Sequence, residues 1–251
     1  MNLISGLALA GSTYLFFRGL IYHKNEQFFT NMFTEIEKCQ EFDFDYVQNL
    51  DDLPLGKLIS LCAQTDNDDK SLKSAMFQNN QKVLFSSIVA NKETDKIWKI
   101  QEKILNFRVR NMLGATIEIA NKENEIFLYN LKKLDTLNYK DPKAQMVQLN
   151  LKQKIQAFIG KKVAFSEYVI MPETHVVFVG VLKKDFKGNF RLEPKVISGE
   201  NRSLFLKCLD EHIVAVNGKG KKIFYTFFAV VILESIRKML YRANLNKKKV
   251  K

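Results

Sequence analysis

Cysteine and histidine are scarce in this 251-residue chain, with three of each. Cys39, Cys62 and Cys208 stand far apart and form no Cys-x-x-Cys pair. That spacing argues against a zinc site and against a disulfide framework, and leaves a Cys39–Cys62 bridge in an oxidising compartment as one pairing to test. His23, His175 and His212 lie in different predicted elements without a companion nucleophile, and His175, in the run MPETH, reads as a turn histidine. Gly-x-Ser-x-Gly, Walker, His-Glu-x-x-His and EF-hand patterns are all missing. The run GKGKK at 218–222 lacks the spacing of a phosphate loop. A non-catalytic protein without cofactor or metal is therefore expected.

Acidic residues are also in deficit, 27 against 39 Lys and Arg, for a net charge of +12. Much of the excess falls in the last fifteen residues, where Arg237, Lys238, Arg242, Lys247, Lys248, Lys249 and Lys251 follow an apolar run. Such placement predicts a membrane flank rather than a nucleic-acid face. Residues 3–22, LISGLALAGSTYLFFRGLIY, are nearly continuous in apolar character. At ~1.5 Å per residue they are long enough as a helix to cross a ~30 Å hydrocarbon layer. Arg18 can reach headgroups from there, and Gly6, Ala10 and Gly11 form a small-residue face for helix packing. No basic stretch precedes the segment, and it is not Arg- and Ser-rich, so an uncleaved anchor is expected rather than a signal peptide or presequence. The second apolar run, Ile223–Leu233, is short, but it reaches spanning length if Glu234 is neutralised by Arg237 or Lys238. Lys219, Lys221 and Lys222 in front of it are predicted, with Arg18, Arg237 and Lys238, to meet lipid headgroups such as cardiolipin.

Between the ends the pattern changes. Phe28, Phe29, Met32, Phe33 and Ile36 recur at helical spacing, so an amphipathic helix continues the first anchor. An acidic linker follows, with Glu41, Asp43 and Asp45 as a dock for a basic partner. From Pro54, short apolar runs separated by polar turns predict strands at 55–63, 83–90, 98–109, 116–120 and 126–129. Residues 142–159 read as a helix, with Asp141 as its cap and Pro142 at its first position. Strands at 163–171, 176–183 and 189–192 then form a meander with a tight turn around Gly188. A short helix at 203–212, a strand at 213–216 and a glycine hinge at 217–222 lead to the second anchor. The predicted organisation is a transmembrane helix at 1–23, an amphipathic helix and acidic linker at 24–53 and a strand-rich domain at 54–217. A hinge and second transmembrane helix at 218–241 and a basic tail at 242–251 complete it. The fold class is α+β, a strand-rich domain between two transmembrane helices.

Certain residues carry a family resemblance. Glu167, Tyr168, Val169 and Pro172, then Val179-Gly180-Val181-Leu182, Gly188, Arg191-Leu192 and Pro194, form a run of strand, glycine, turn and strand. The segments SGENRSLFL and PLGKLISLCA and the residue Trp98 add to it. Together they resemble the GIDE-type mitochondrial E3 ubiquitin ligases and their beside-a-membrane domain. The resemblance implies a mitochondrial membrane, with the domain in the intermembrane space. Those ligases end in a zinc-binding RING, whereas this sequence ends in NKKKVK, so ligase activity is not implied. The expected role is a scaffold or accessory subunit of a mitochondrial membrane complex, the respiratory chain among the candidates. Its partners are lipids and other subunits rather than nucleic acid. The alternatives are a RING-less regulatory component of a ubiquitin-type ligase and an enzyme without a recognisable motif.

Overall fold

The structure, a computed structural model, describes residues 3–66, 72–73, 82–91, 97–100, 105–121, 126–138 and 164–249. The chain divides into a strand-rich unit, Glu35–Leu206, and a helical unit made of Met1–Thr34 with Lys207–Lys251.

The strand-rich unit is built on β2 (Leu58–Thr65), β7 (Leu105–Arg110), β8 (Thr116–Asn121), β12 (His175–Lys184) and β13 (Phe190–Ser198). β2 pairs β7, β7 pairs β8, β8 runs parallel to β13, β13 pairs β12, and β12 returns to β2, so five strands close into a barrel. In space the order β12-β2-β7-β8 is that of a Greek key. Closure leaves these strands few free edges. Three further strands extend the sheet. β1 (Gln40–Asp43) lies parallel to β2, β9 (Ile126–Tyr129) parallel to the far half of β13, and β6 (Ile97–Ile100) antiparallel to β9. A separate sheet holds β10 (Lys132–Asn138), β11 (Ala164–Ile170) and β5 (Phe85–Asn91), and β3 (Leu72–Lys73) pairs β4 (Lys82–Val83).

Alternation along the barrel strands drives the closure. Ile59 and Leu61 of β2, Phe107 and Val109 of β7, and Ile117 and Ile119 of β8 all turn inward and are buried. From the other strands Phe178, Leu182, Leu192 and Ile197 complete the same core. β12 and β13 share a bulge, where the register steps from Val179↔Val196 to Gly180↔Pro194. Pro194 has no N–H to give the ladder, so the step falls where one bond is already missing.

The helical unit pairs part of α1 (Leu3–Lys38) with part of α2 (Arg202–Lys249). Contacts run in opposite directions along the two helices, Phe29 with His212, Tyr22 with Gly220, and Phe16 with Phe224 and Phe227. The less exposed positions repeat at alternating spacings of three and four: Ser12, Leu15, Gly19, Tyr22 and Glu26 on α1, and Gly220, Ile223, Phe227, Val230, Glu234 and Arg237 on α2. This is the seam of an antiparallel coiled coil. Two glycines sit against the other helix: a Cβ on Gly19 would stand 2.9 Å from the Phe224 ring, and one on Gly220 would stand 3.3 Å from Tyr22 Cβ.

Two expectations are corrected. No helix among the described residues is long and apolar enough to cross a membrane, so the α+β fold does not carry the two transmembrane helices expected of it. On α2 the uninterrupted apolar run, Ile223–Leu233, is about eleven residues, or ~17 Å as a helix, well short of the ~30 Å required. Lysines bound it below, and Glu234, Arg237 and Lys238 bound it above. On α1, where side chains are described from Ala10 onward, the apolar stretch carries Arg18 and stops at Tyr22, before His23 and Lys24. The second correction concerns the hinge. Residues 202–249 form one helix straight through Gly218 and Gly220, with neither a strand at 213–216 nor a break. The expected helix at 142–159 lies outside the described residues.

The glycines of this unit make opposite predictions. An added Cβ at Gly218 meets nothing within 4 Å, so Gly218→Ala gains helix propensity of about 0.5–1 kcal/mol. Gly19→Ala must displace the Phe224 ring and loses that gain. Urea unfolding followed by helical circular dichroism separates the two; equal stabilisation by both would contradict the seam.

Candidate interaction surfaces

The acidic segment is largely engaged within its own unit. Glu35 pairs with Lys195 at 3.0 Å, Glu41 with Arg202 at 3.4 Å and Asp51 with Lys184 at 2.6 Å. Arg202 also donates to the Glu37 carbonyl. Asp43 accepts the Asp45 N–H at 3.2 Å, capping the short 3-10 turn Phe44–Tyr46. Asp43 stands opposite Cys62 in the β1–β2 register. Burial first, and then the charges of Asp43, Asp45 and Glu41, push the Cys62 thiol above its ordinary pKa. Burial likewise raises Cys39. None of the three cysteines is in a disulfide. A raised pKa leaves little thiolate at neutral pH, so Cys62 is expected to alkylate more slowly than free cysteine at pH 7.5. Asp43→Asn, by removing a raising charge, speeds the reaction. Iodoacetamide kinetics read by mass spectrometry check both, and a slower reaction in the variant would reverse the sign argued here.

The histidines remain apart. His23 lies 3.7 Å from Glu26, His175 is exposed at the start of β12, and His212 meets the Phe29 ring edge-on at 4.6 Å. Among the described residues no group of three or more His, Cys, Asp or Glu is arranged to hold a metal ion. One buried carboxylate went unnoticed in the sequence. Glu167 of β11 is fully buried and accepts the Ser86 hydroxyl from β5. In the run FSEYV the polar residues Ser166 and Glu167 are adjacent, and nothing in it signals that both are covered.

Two turns of the barrel share one construction. In the first, Asn111 Oδ1 accepts the N–H groups of Leu113 (3.1 Å) and Ala115 (2.7 Å), while Gly114 at φ 84° donates to the Asn111 carbonyl. In the second, Asp185 Oδ1 accepts from Lys187 and Asn189, each at 2.8 Å, and Gly188, also at φ 84°, donates to the Asp185 carbonyl. Bonds from the Asn189 side chain foremost hold the Asp185 carboxyl below its ordinary pKa. Each side-chain acceptor fixes the loop, and each glycine supplies the left-handed residue. The rigid tips present large apolar side chains to solvent: Met112 is 82% exposed, Leu113 65% and Phe186 96%.

Beneath the first turn is a polar cleft of about 420 Å³, lined by Gln64, Thr65, Asp66, Arg110, Asn111, Met112 and Glu173. Two hydrogen-bonded residues frame it. Thr65 is buried; its hydroxyl donates to the Met171 carbonyl at 2.7 Å and accepts the Thr174 N–H at 3.0 Å. Asn111 Nδ2 donates to the Val47 carbonyl at 2.9 Å. Arg110 lies 3.6 Å from Asp66, too far for a strong hydrogen bond. Glu173 adopts φ 59°, uncommon outside glycine, and its N–H donates to the Thr65 carbonyl at 2.9 Å.

Among the described residues, most of the exposed large apolar side chains belong to the helical unit. Its seam turns polar toward the end of α2, where Arg237 donates to Glu234 at 2.8 Å and the Glu234 side chain is only 18% exposed. Outward lie Tyr225 (71% exposed), Ile232 (57%) and Met239 (69%), and α1 turns out Tyr14, Phe17 and Ile21. Apolar side chains thus stand on the outside of the helix pair as well as along its seam, beyond what a pair of helices in water needs to leave uncovered. Tyr22 sits against Gly220, so the step from polar to apolar residues, after Lys24 and His23 on α1 and after Lys222 on α2, comes at one level on both helices. Of the predicted packing residues, Ala10 and Gly11 face open space, and Gly6 precedes the described side chains. The close contact falls instead to Gly19 and Gly220. Arg18, Lys219, Lys221, Lys222 and Lys238 are exposed, and Arg237 is tied to Glu234. Comparison with protein-family models, curated proteins and solved structures gives no match for the chain.

Proposed function

We propose that the chain is a non-catalytic scaffold or accessory subunit, built into a larger complex through its helical unit. The apolar side chains left uncovered on the outside of the helix pair carry this reading. Exposed apolar patches beyond a few hundred Å² are rare on free-standing proteins, so these side chains call for an apolar environment of their own. Apolar helices of partner subunits supply that environment. A mitochondrial membrane complex is the setting that the family resemblance implies, and Arg18, Lys219, Lys221, Lys222 and Lys238 are placed to meet anionic headgroups there, cardiolipin included.

Native mass spectrometry of complexes extracted in mild detergent tests this reading. The expected result is the chain at fixed stoichiometry with partner subunits. Recovery only as a free monomer overturns it.

A further inference from the structure

The outside of α2 carries a periodicity of its own. Val214, Gly218, Lys221, Tyr225, Phe228 and Ile232 follow one another at alternating steps of four and three residues, and every one is exposed. The same steps lead on to Ser235 and Met239, which are exposed as well. From Gly218 onward these positions stand two residues before those of the seam. At about 100° per residue, two residues carry a side chain to the opposite side of the helix. On α1, Tyr14, Phe17, Ile21, Lys24 and Phe28 likewise stand two residues beyond the seam positions and are exposed. A helix with one such stripe packs against one neighbour, and a helix with two has a place for a second.

We propose that the outer stripe of α2 seats one helix of a partner subunit, packed along it as the inner seam is packed, with an Asp or Glu of that helix opposite Lys221. This rests on the accessory-subunit reading and gives the partner its chemistry. The spacing selects a helix, because steps of four and three keep one line of side chains toward a neighbouring helix through several turns. Lys221 selects the charge. It is exposed and, like Lys24, has no ion pair among the described residues. Under a helix it needs a counter-ion, since an unpaired charge is costly to bury. Lys219, Lys222 and Lys238 lie off the stripe and stay with the headgroups, whereas Lys221 passes to the partner. A second copy of this chain offers no counter-ion there: from Ala10 to Phe28 and from Val214 to Met239 the acids are Glu26 and Glu234, both on the inner seam. Lipid chains do not match the length of the stripe. With headgroups at the level of Lys221 and Lys24 the acyl layer ends there, yet apolar side chains resume beyond, at Val214 (65% exposed) and Phe28 (47%).

The test uses the full chain in complexes extracted with mild detergent and reads N-ethylmaleimide labelling of single introduced cysteines, peptide by peptide, by mass spectrometry. Tyr225, Ile232 and Met239 lie on the stripe, Leu233 and Leu240 beside it, and all five are between 57% and 71% exposed in the chain alone. In variants that stay in the complex, cysteine at the three stripe positions is expected to react at least about tenfold more slowly than at the two flanking ones. Equal rates overturn the docked helix and leave lipid or detergent as the cover. Lys221→Glu, with helical circular dichroism unchanged, is expected to lower the fraction of chain held in the complex by about tenfold or more, and Lys221→Arg to retain it. Undiminished retention of Lys221→Glu overturns the acidic partner. A disulfide between two Ile232→Cys chains makes the occupant a second copy and overturns the proposal. Recovery of the parent chain only as a free monomer overturns both this inference and the reading beneath it, whereas fixed stoichiometry without protection of the stripe overturns this inference alone.

Discussion

Gly180→Ala is expected to destabilise the barrel by about 3 kcal/mol, at the upper end of the range for overpacking. The added Cβ would stand 2.8 Å from Pro194 Cα and closer still to the Glu193 carbonyl oxygen, both backbone atoms of the paired strand. A side chain in the way can swing aside, as Phe224 can for Gly19. Backbone cannot, because Glu193 and Pro194 are registered against Val181 and Gly180 in the β12–β13 ladder. β12 also pairs β2, so movement at the bulge strains the closure of the barrel. Chemical unfolding followed by Trp98 fluorescence measures the effect; a midpoint within error of the parent would show that the bulge has room.

Phe178→Ala is expected to cost about 3–5 kcal/mol, as for other buried aromatic truncations. Phe178 is fully buried in the barrel core, with its ring centroid 6.0 Å from that of Phe107. Neighbours on closed strands have little freedom to collapse into the vacated space, so the cavity persists. Phe186→Ala is the matched control. At 96% exposure it contributes almost nothing to folding, and its change should stay within about 0.5 kcal/mol. Equal losses from both would contradict the assigned core.

The parts of the barrel that were legible in sequence are those where local pattern and tertiary demand agree. β8 and β9 lie almost where apolar runs placed them, and the turn at Gly188 follows from its glycine and its asparagine neighbour. β13 extends well past Leu192, because Pro194, a usual strand breaker, falls at the bulge. β1 was hidden for a different reason. Its sequence QEFD has little strand propensity, and only pairing with β2 makes it a strand. The continuity of α2 through NGKGKK was equally illegible. Two glycines and three lysines read as a hinge, but Gly220 is where Tyr22 needs room, and packing outweighs propensity. In the helical unit the apolar runs themselves were legible. Their length as spans was not: the expected Glu234–Arg237 pair forms, yet no helix among the described residues is long and apolar enough to cross a membrane. The cleft had no sequence signature, because its lining comes from the end of β2, the β7–β8 turn and the β11–β12 turn.

The central claim is that partner helices cover the outside of the helical unit, and Ile232→Lys tests it most directly. Ile232 is 57% exposed and lies off the seam, so the substitution should leave the unit folded, and its helical circular dichroism should be unchanged. In native mass spectrometry of detergent extracts, the account predicts that the Ile232→Lys chain separates from its partner subunits while the Phe186→Lys chain stays bound. Retention of the Ile232→Lys chain at the parent stoichiometry would contradict it.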